Sequence, residues 1–199
     1  MGQAPLKRVT NGAIVADRRR PRPEHHLFGD EEPIQSASAG AWRVLHTKPR
    51  QEKALAETLR AADLRFYLPT VRERREYGHR WRETDRPLFP SYLFLRGSRE
   101  QAWFAQGTRR VVSVIEVPDQ AEFVRELEQI RRALVGRATL DPYPYLKRGR
   151  RVRVRSGPFK GVEGVVDERA RPERLILKVD ALGRAVSLEI DACLLEPAD

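Results

Sequence analysis

The chain has 199 residues and a net charge of +10 at pH 7, and this length suffices for one or two domains with a buried core. It contains no apolar run of about 18 residues and no apolar leader behind its basic N-terminus, which argues against a membrane span and a secretory signal. A single cysteine, Cys193, excludes an internal disulfide framework and fits a reducing compartment. We therefore expect a cytoplasmic protein.

The positive charge is concentrated in the middle of the chain. Residues 41–140 hold 20 basic and 13 acidic side chains, whereas residues 141–199 hold 12 and 10. A pI near 10.3 favours a polyanion such as nucleic acid as a partner. A surface that is charged only for solubility is the alternative, and composition alone leaves it open.

Residues 1–40 have the composition of a disordered tail. They contain several prolines and glycines and a basic run from Arg18 to Arg22, with few large apolar side chains to offset the entropy of ordering. The ordered part is predicted to begin with a strand over residues 41–47. We expect Lys48 and Pro49 to open a helix capped by Thr47, with Glu52 on its exposed face.

A second strand over residues 65–71 leads into an exposed hairpin over residues 72–86, which turns at Gly78. The hairpin carries six arginines, among them Arg74, Arg75 and Arg80. Arginines interleaved with aromatic residues suit phosphate contact and base stacking. A charged hairpin can equally be a protected sheet edge, and both interpretations stand.

Leu88 and Phe89 stand between two prolines, ahead of the aromatic and aliphatic run Tyr92–Leu95. Because proline cannot donate to a sheet ladder, Pro87 and Pro90 should hold the pair outside regular strand pairing. The run that follows is typical of a buried central strand. Leu88 and Phe89 are therefore either core or a docking patch, and core is the commoner use of buried aromatics.

Two more helices are predicted from their caps. Ser98 and Gln101 have the spacing of a capping box, so a short helix should span residues 99–106 and stop at Gly107. After a strand over residues 111–117, a last helix opens near Pro118. Its apolar positions recur with helical spacing and predict a buried stripe: Phe123, Leu127, Ile130 and Leu134. The element order predicts an α+β domain over residues 41–138, an antiparallel sheet flanked by helices.

Residues 139–146 contain two prolines and are interpreted as a linker. Beyond them the pattern changes to period two, as in Arg151–Arg155, and several short strands follow within about 50 residues. This pattern predicts a second domain over residues 147–199, a small β-barrel.

No pattern of catalytic residues is found. There is no Gly-rich phosphate loop after a strand and no Gly-x-Ser-x-Gly elbow. The four histidines and the one cysteine lack metal-ligand spacing. We expect no catalytic residue, no metal and no cofactor, so the sequence predicts a binding protein and not an enzyme. A hydrolase is the enzyme-class alternative, and no assembled nucleophile supports it.

Two motifs in this order resemble a known family. The segment Leu88–Phe94 resembles the Phe-Pro-Gly-Tyr signature of the amino-terminal domain of NusG transcription elongation factors. The segment Gly149–Gly161, with its Gly-Pro-Phe loop, resembles a KOW domain. With Trp42 in the first strand, the likeness covers about residues 41–197. It implies a NusG amino-terminal domain followed by a five-stranded KOW β-barrel.

Other details resemble the RfaH-like specialised members of the family. His46–Glu52 is similar to their segment after strand one, and the tail of about 40 residues is extra. Gln101–Trp103 departs from their gate-loop motif, which puts that contact in doubt. Strand alternation and glycines in the second domain favour a barrel over the helical alternative form. Ser91 stands where glycine is commoner, and we expect it to fit the start of the strand.

The resemblance implies a factor that binds the clamp helices of RNA polymerase and modulates pausing, processivity and termination or antitermination, and that couples transcription to translation. It places polymerase binding on a set around the first motif: His46, Leu88, Phe89, Tyr92 and Phe94. It places contact with the non-template DNA strand on a second set, to which the hairpin arginines are added: Lys48, Gln51, Arg109 and Arg110.

In the second domain the resemblance implies binding of a ribosomal protein or of Rho. Phe159, held out at an exposed loop tip by Gly157 and Pro158, and Leu182 on the neighbouring hairpin are the candidate residues. We expect a monomer without membrane contact. The alternative is a ribosome-associated or general RNA-binding KOW protein. The small excess of positive charge in residues 141–199 argues against it.

Overall fold

The structure is a computed structural model that describes residues 26–27, 34, 40–77, 80–136, 138–143, 149–166 and 174–198, with side chains at 26–27, 74–77 and 80 excepted. Its three α-helices are α1 (Glu52–Ala61), α2 (Arg99–Gly107) and α3 (Gln120–Val135). The strands of the first part are β1 (His26–Leu27), β2 (Ala41–Thr47), β3 (Arg65–Leu68), β4 (Thr70–Tyr77), β5 (Arg80–Pro87), β6 (Tyr92–Gly97) and β7 (Val111–Glu116). Those of the second part are β8 (Asp141–Tyr143), β9 (Arg150–Val154), β10 (Glu163–Val166), β11 (Arg174–Val179), β12 (Arg184–Glu189) and β13 (Leu195–Pro197).

The first part is an antiparallel sheet of five described strands in the order β1-β3-β6-β2-β7, with helices on both faces. Side chains of the central strand β6 alternate between the faces, as period-two geometry requires. Leu93 packs with Leu55 of α1 and Ala102 of α2. Phe94 meets Phe123 of α3 edge-on, with ring centroids 5.5 Å apart. The predicted α+β class is confirmed.

The caps predicted for α2 and α3 are present, whereas the predicted start of α1 was wrong. Ser98 forms a complete capping box with Gln101, and Asp119 accepts the Glu122 N–H at 2.8 Å. Helix α1 begins four residues later than expected. The Lys48 N–H donates to the Arg110 carbonyl in the loop before β7, so this segment does not start a helix. Arg50 has a left-handed φ of 64°, which is incompatible with an α-helix.

Part of the expected tail is ordered. Strand β1 pairs antiparallel with β3 at the edge of the sheet, where unpaired backbone groups accept a further strand. Ile34 is buried, and its carbonyl oxygen accepts a hydrogen bond from Arg96 Nη1 at 3.0 Å. The expectation of disorder is therefore wrong at these positions. The rest of residues 1–39 lies outside the described residues.

The second part is an antiparallel sheet of six described strands, in the order β13-β9-β10-β11-β12-β8. Within the described ranges its end strands, β13 and β8, do not pair with each other, so the expected five-stranded closed barrel is corrected to an open six-stranded sheet. The sixth strand comes from the expected linker. Asp141–Tyr143 pairs with β12 as an edge strand, a position that tolerates Pro142.

The second sheet packs against α3, along what we call the α3 seam: Glu126, Gln129, Arg132 and Gly136 with the residues they meet. The Asp180 N–H donates to Glu126 Oε1 at 2.9 Å, and the Glu163 N–H donates to Gln129 Oε1 at 2.8 Å. One apolar cluster runs from Phe94 through Leu127 to Val152, Leu175 and Leu177. The two sheets thus share a continuous core in this structure.

Candidate functional site

The resemblance points to the end of the first sheet where β2 stops and β6 starts. His46 and Tyr92 face each other in the antiparallel β2–β6 ladder. Their rings stack with centroids 5.1 Å apart and an interplanar angle of 23°. Both side chains are half-buried, so each keeps an accessible edge. Of the expected polymerase-binding residues, these two are the ones that are not fully buried.

The other three expected polymerase-binding residues are buried in this conformation. Leu88 and Phe89 are 2% and 4% exposed, and Phe94 is fully buried. The Leu88 N–H donates to the Pro69 carbonyl at 2.8 Å, and the Phe89 ring meets Phe94 edge-on at 6.0 Å. Physical reasoning from the sequence alone favoured core for Leu88 and Phe89, and burial agrees with it. A docking role for these side chains stays a prediction.

The bend before β6 is held by Ser91 and by Glu52, a side chain that we expected to be exposed. Ser91 has a left-handed φ of 68°, so it occupies a turn and not the extended start of a strand that we expected. Its N–H donates to Glu52 Oε1 at 2.6 Å, and its carbonyl accepts the Thr47 N–H at 2.8 Å. Glu52 is buried, which corrects its expected exposure. Glycine at position 91 in the family signature fits this left-handed geometry.

Beside the His46–Tyr92 pair, two loops meet and bring four cationic residues together. The Lys48 N–H donates to the Arg110 carbonyl at 2.8 Å, which joins the loop after β2 to the loop before β7. Arg50 and Arg109 take left-handed φ values of 64° and 60° in these loops. We call Lys48, Arg50, Arg109 and Arg110 the cation cluster. Arg50 was missed because its left-handed backbone has no signal in the sequence.

The charges of the cation cluster are not neutralised within the described part of the chain. No ion pair there involves any of its four residues, and Lys48, Arg50 and Arg109 are exposed. The Arg110 Nε is buried and has no hydrogen-bond partner among the described residues. The three exposed cations, which have no acidic partner there, are suited to anionic oxygens. Gln51 also lies here, half-buried, with its N–H on the Lys48 carbonyl at 3.1 Å.

The expected hairpin is present as β4 and β5, with Tyr77 opposite Arg80. The side chains of Arg74, Arg75 and Arg80 lie outside the described residues, as does the turn at Gly78 and His79. At the base of the hairpin Arg72 pairs with Asp85 and Arg86 pairs with Glu73. Arginines there are partly neutralised, unlike the cation cluster.

The second sheet brings its own candidate residues against the first part of the chain. Phe159 is half-buried against the end of α3, where a Cβ at Gly136 would lie 2.7 Å from its Cδ1 atom. The expected exposed loop tip is therefore wrong, since α3 supplies an apolar surface that the ring covers. Leu182 is half-buried as well. The guanidinium of Arg184, two residues on, lies 5.9 Å from the centroid of the Tyr92 ring.

Glu126 is the buried acid of the α3 seam. Removal from water raises its pKa to about 8, and the neighbouring Asp180 and Glu122 carboxylates act in the same direction. The hydrogen bond from the Asp180 N–H opposes them. A carboxyl that titrates near neutral pH thus lies between the two sheets.

The described residues contain no group of three or more His, Cys, Asp or Glu side chains that could hold a metal ion. Among the helices that the structure describes, none is long and apolar enough to cross a membrane.

Comparison with known proteins agrees with the motifs. Residues 40–138 match the model of the family described as transcription termination factor nusG. This range runs from the residue before β2 to just beyond α3 and contains both the His46–Tyr92 pair and the cation cluster. Residues 40–138 form a NusG-family domain.

A curated member of the NusG family has similar length and sequence. The transcription termination/antitermination protein NusG of Lactococcus lactis subsp. lactis (strain IL1403) is 29% identical over 167 residues, which cover 75% of this chain and 89% of that protein. Among solved structures, a chain in the crystal structure of the MjSpt4:Spt5 complex (conformation B) is 16% identical and has a TM-score of 0.27, with coverage of 79% of this chain and 97% of that one. A TM-score this low supports no conclusion about fold or partner.

Proposed function

We propose that this NusG-family protein is a transcription elongation factor that binds RNA polymerase and modulates pausing, processivity and termination or antitermination. It acts as a binding protein in the cytoplasm and not as an enzyme. The observation that carries the proposal is the junction at the end of β2, inside the range that matches the family. There the His46–Tyr92 pair adjoins the cation cluster, because Thr47 is the only residue between His46 and Lys48.

The two neighbouring surfaces suit two neighbouring ligands. The stacked His46 and Tyr92 rings offer apolar area with polar edges, which is typical of protein contacts. The cation cluster offers charge without acidic partners, which favours phosphate. A protein that holds both side by side can bind polymerase where it meets its DNA. We assign the clamp helices to the aromatic pair and the non-template strand to the cation cluster.

The second sheet completes the proposal as a recruiting module for a ribosomal protein or Rho, through Phe159 and Leu182. Both side chains are half-buried, and Phe159 packs on α3. Recruitment through Phe159 therefore requires the second sheet to leave α3. Coupling to translation would belong to that separated state.

Transcription in vitro at a pause site, with and without the protein, tests the proposal. Pause duration and termination should change on addition of the protein, and Tyr92→Ala should weaken its complex with core polymerase by roughly tenfold, as loss of an interface aromatic does. Lys48→Glu should reduce the effect on pausing, while Lys53→Glu, an exposed lysine on α1, serves as its control. Unchanged pausing and termination on several templates would refute the function.

A further inference from the structure

Helix α2 presents two large aromatic side chains to solvent. Trp103 is 60% exposed and Phe104 is 48% exposed, whereas Ala102 and Ala105 of the same helix are buried against the sheet. Scattered exposed apolar residues are common on protein surfaces. Two adjacent aromatics on the outer face of a nine-residue helix form a patch that requires an explanation.

Trp103 and Phe104 are held close to the cation cluster. The Thr108 hydroxyl donates to the Ala105 carbonyl at 2.6 Å and accepts the Arg110 N–H at 3.3 Å. The Arg109 N–H donates to the Gln106 carbonyl at 3.1 Å. The bonds to the Ala105 and Gln106 carbonyls thus fix the loop before β7, which carries Arg109 and Arg110, to the end of α2. From Trp103 to the helix end at Gly107 the axial rise is about 6 Å.

Cationic residues lie on both sides of Trp103 and Phe104. Arg99 is one helical turn before Trp103, on the same face of α2, and Arg109 follows the helix. In the described part of the chain neither arginine forms an ion pair. The carboxylate nearest in sequence, Glu100, accepts a hydrogen bond from the Ser98 hydroxyl at 2.6 Å. The patch therefore combines aromatic faces with unbalanced positive charge.

We propose that Trp103 and Phe104 stack on bases of an unpaired DNA strand whose phosphates contact Arg99 and the cation cluster. The proposal deepens, and rests on, the nucleic-acid contact of the proposed function. A duplex buries the faces of its bases, whereas an unpaired strand offers them to aromatic side chains, and such stacking tolerates any sequence. The excess of positive charge favours a nucleic acid over a protein, since the cores of protein interfaces are depleted of charge.

The test uses the full chain and a fluorescein-labelled 12-nucleotide oligo(dT), with binding followed by anisotropy at several salt concentrations. Trp103→Leu keeps apolar volume but removes the flat ring, and should weaken binding by about 5- to 150-fold, the range for loss of one stacked base. Trp103→Phe keeps a ring and should stay within about threefold of the parent. Thermal melts of both variants should match the parent, because the side chain is exposed.

Two further arms separate stacking from charge. A base-free strand of the same length should bind the parent as weakly as oligo(dT) binds Trp103→Leu. Trp103→Leu should leave the salt dependence unchanged, whereas Lys48→Ala should reduce its log–log slope by about 0.7, the value for one phosphate contact on a single strand.

Several outcomes would overturn the inference: parent-like oligo(dT) binding by Trp103→Leu, equal binding of duplex, tighter binding of a 12-nucleotide RNA, or no oligo(dT) binding by the parent. Loss of polymerase binding by Trp103→Leu with unchanged oligo(dT) binding would make the patch a protein contact and also overturn it. The proposed function is tested by the effect of the parent on pausing, which none of these binding results measures. Failure of the inference can therefore be distinguished from failure of the proposed function.

Discussion

The Asp180 N–H donates to the Glu126 carboxylate across 2.9 Å, and this bond joins the second sheet to α3. It ties a buried acid to the backbone of the other half of the molecule. The charge state of Glu126 therefore bears on how firmly the two halves pack.

We expect the packing of the second sheet on α3 to weaken as pH rises. Burial between α3 and the second sheet raises the pKa of Glu126 to about 8 from an ordinary 4.5, although the Asp180 N–H opposes the rise, so the packed state favours the protonated acid. Its contribution is complete below about pH 4.5 and is lost as pH rises through about 8. Hydrogen exchange of the Asp180 and Glu163 amides, corrected for intrinsic rates, should speed up between about pH 4.5 and 8 and level off above that range.

Glu126→Gln should remove most of this pH dependence, because the amide oxygen still accepts the Asp180 N–H while no charge forms. Glu57→Gln on the exposed face of α1 is the matched control and should behave like the parent. Equal pH dependence in Glu126→Gln and the parent would show that other groups control the packing.

Gly136→Ala should separate the second sheet from α3 without unfolding either half. The new Cβ would lie 2.7 Å from Phe159 Cδ1 and 2.8 Å from the Pro158 carbonyl oxygen, closer than real Cβ contacts allow. Gly107→Ala is its control, since that glycine also ends a helix and a Cβ there meets nothing within 4 Å. Small-angle scattering should give a larger radius of gyration for Gly136→Ala only, and an unchanged radius would contradict the seam.

Ser91→Gly should leave the free energy of unfolding unchanged or raise it by up to about 1.5 kcal/mol. Glycine relieves a left-handed conformation that costs about 1–2 kcal/mol, offset by about 0.5–1 kcal/mol of backbone entropy. Ser113→Gly in strand β7 should instead lower stability by about 0.5–1 kcal/mol, because its backbone carries no such strain. Urea denaturation of both variants measures the contrast, and the same sign for both would contradict the strained turn.

Phe89→Ala should act first on stability. Removing a buried phenylalanine costs about 3–5 kcal/mol, and Phe89 is packed against Phe94. Tyr92→Ala, at a half-buried position, should cost much less and so reports more cleanly on polymerase binding. Thermal melts of the two variants, read before any binding assay, check this order. A Phe89→Ala variant that melts like the parent would place that ring outside the core.

Local signals explain what the sequence could predict. The capping box of Ser98 and Gln101 and the buried stripe from Phe123 to Leu134 depend on residues within one helix, and both were predicted correctly. The strands with alternating or continuous apolar residues were found for the same reason.

Contacts between distant segments explain the errors. A glutamate at position 52 is typical of a solvent-exposed helix face, but Glu52 accepts the N–H of Ser91, 39 residues away. Phe159 has the sequence of an exposed tip, but the end of α3 covers it. The start of α1 moved because the Lys48 N–H bonds to Arg110. The motifs identified only some residues of the cation cluster and of the His46–Tyr92 pair. Arg50 was found from its backbone geometry and Trp103 from its exposure.

The junction between Lys48 and Arg110 is made of main-chain atoms alone. Any residue other than proline at position 48 supplies the same N–H, and any residue at position 110 supplies the same carbonyl. A single substitution at either position can therefore exchange the chemical group that meets the ligand while the two loops keep their places. The backbone contact between the two loops therefore leaves both side chains free to vary without a new fold.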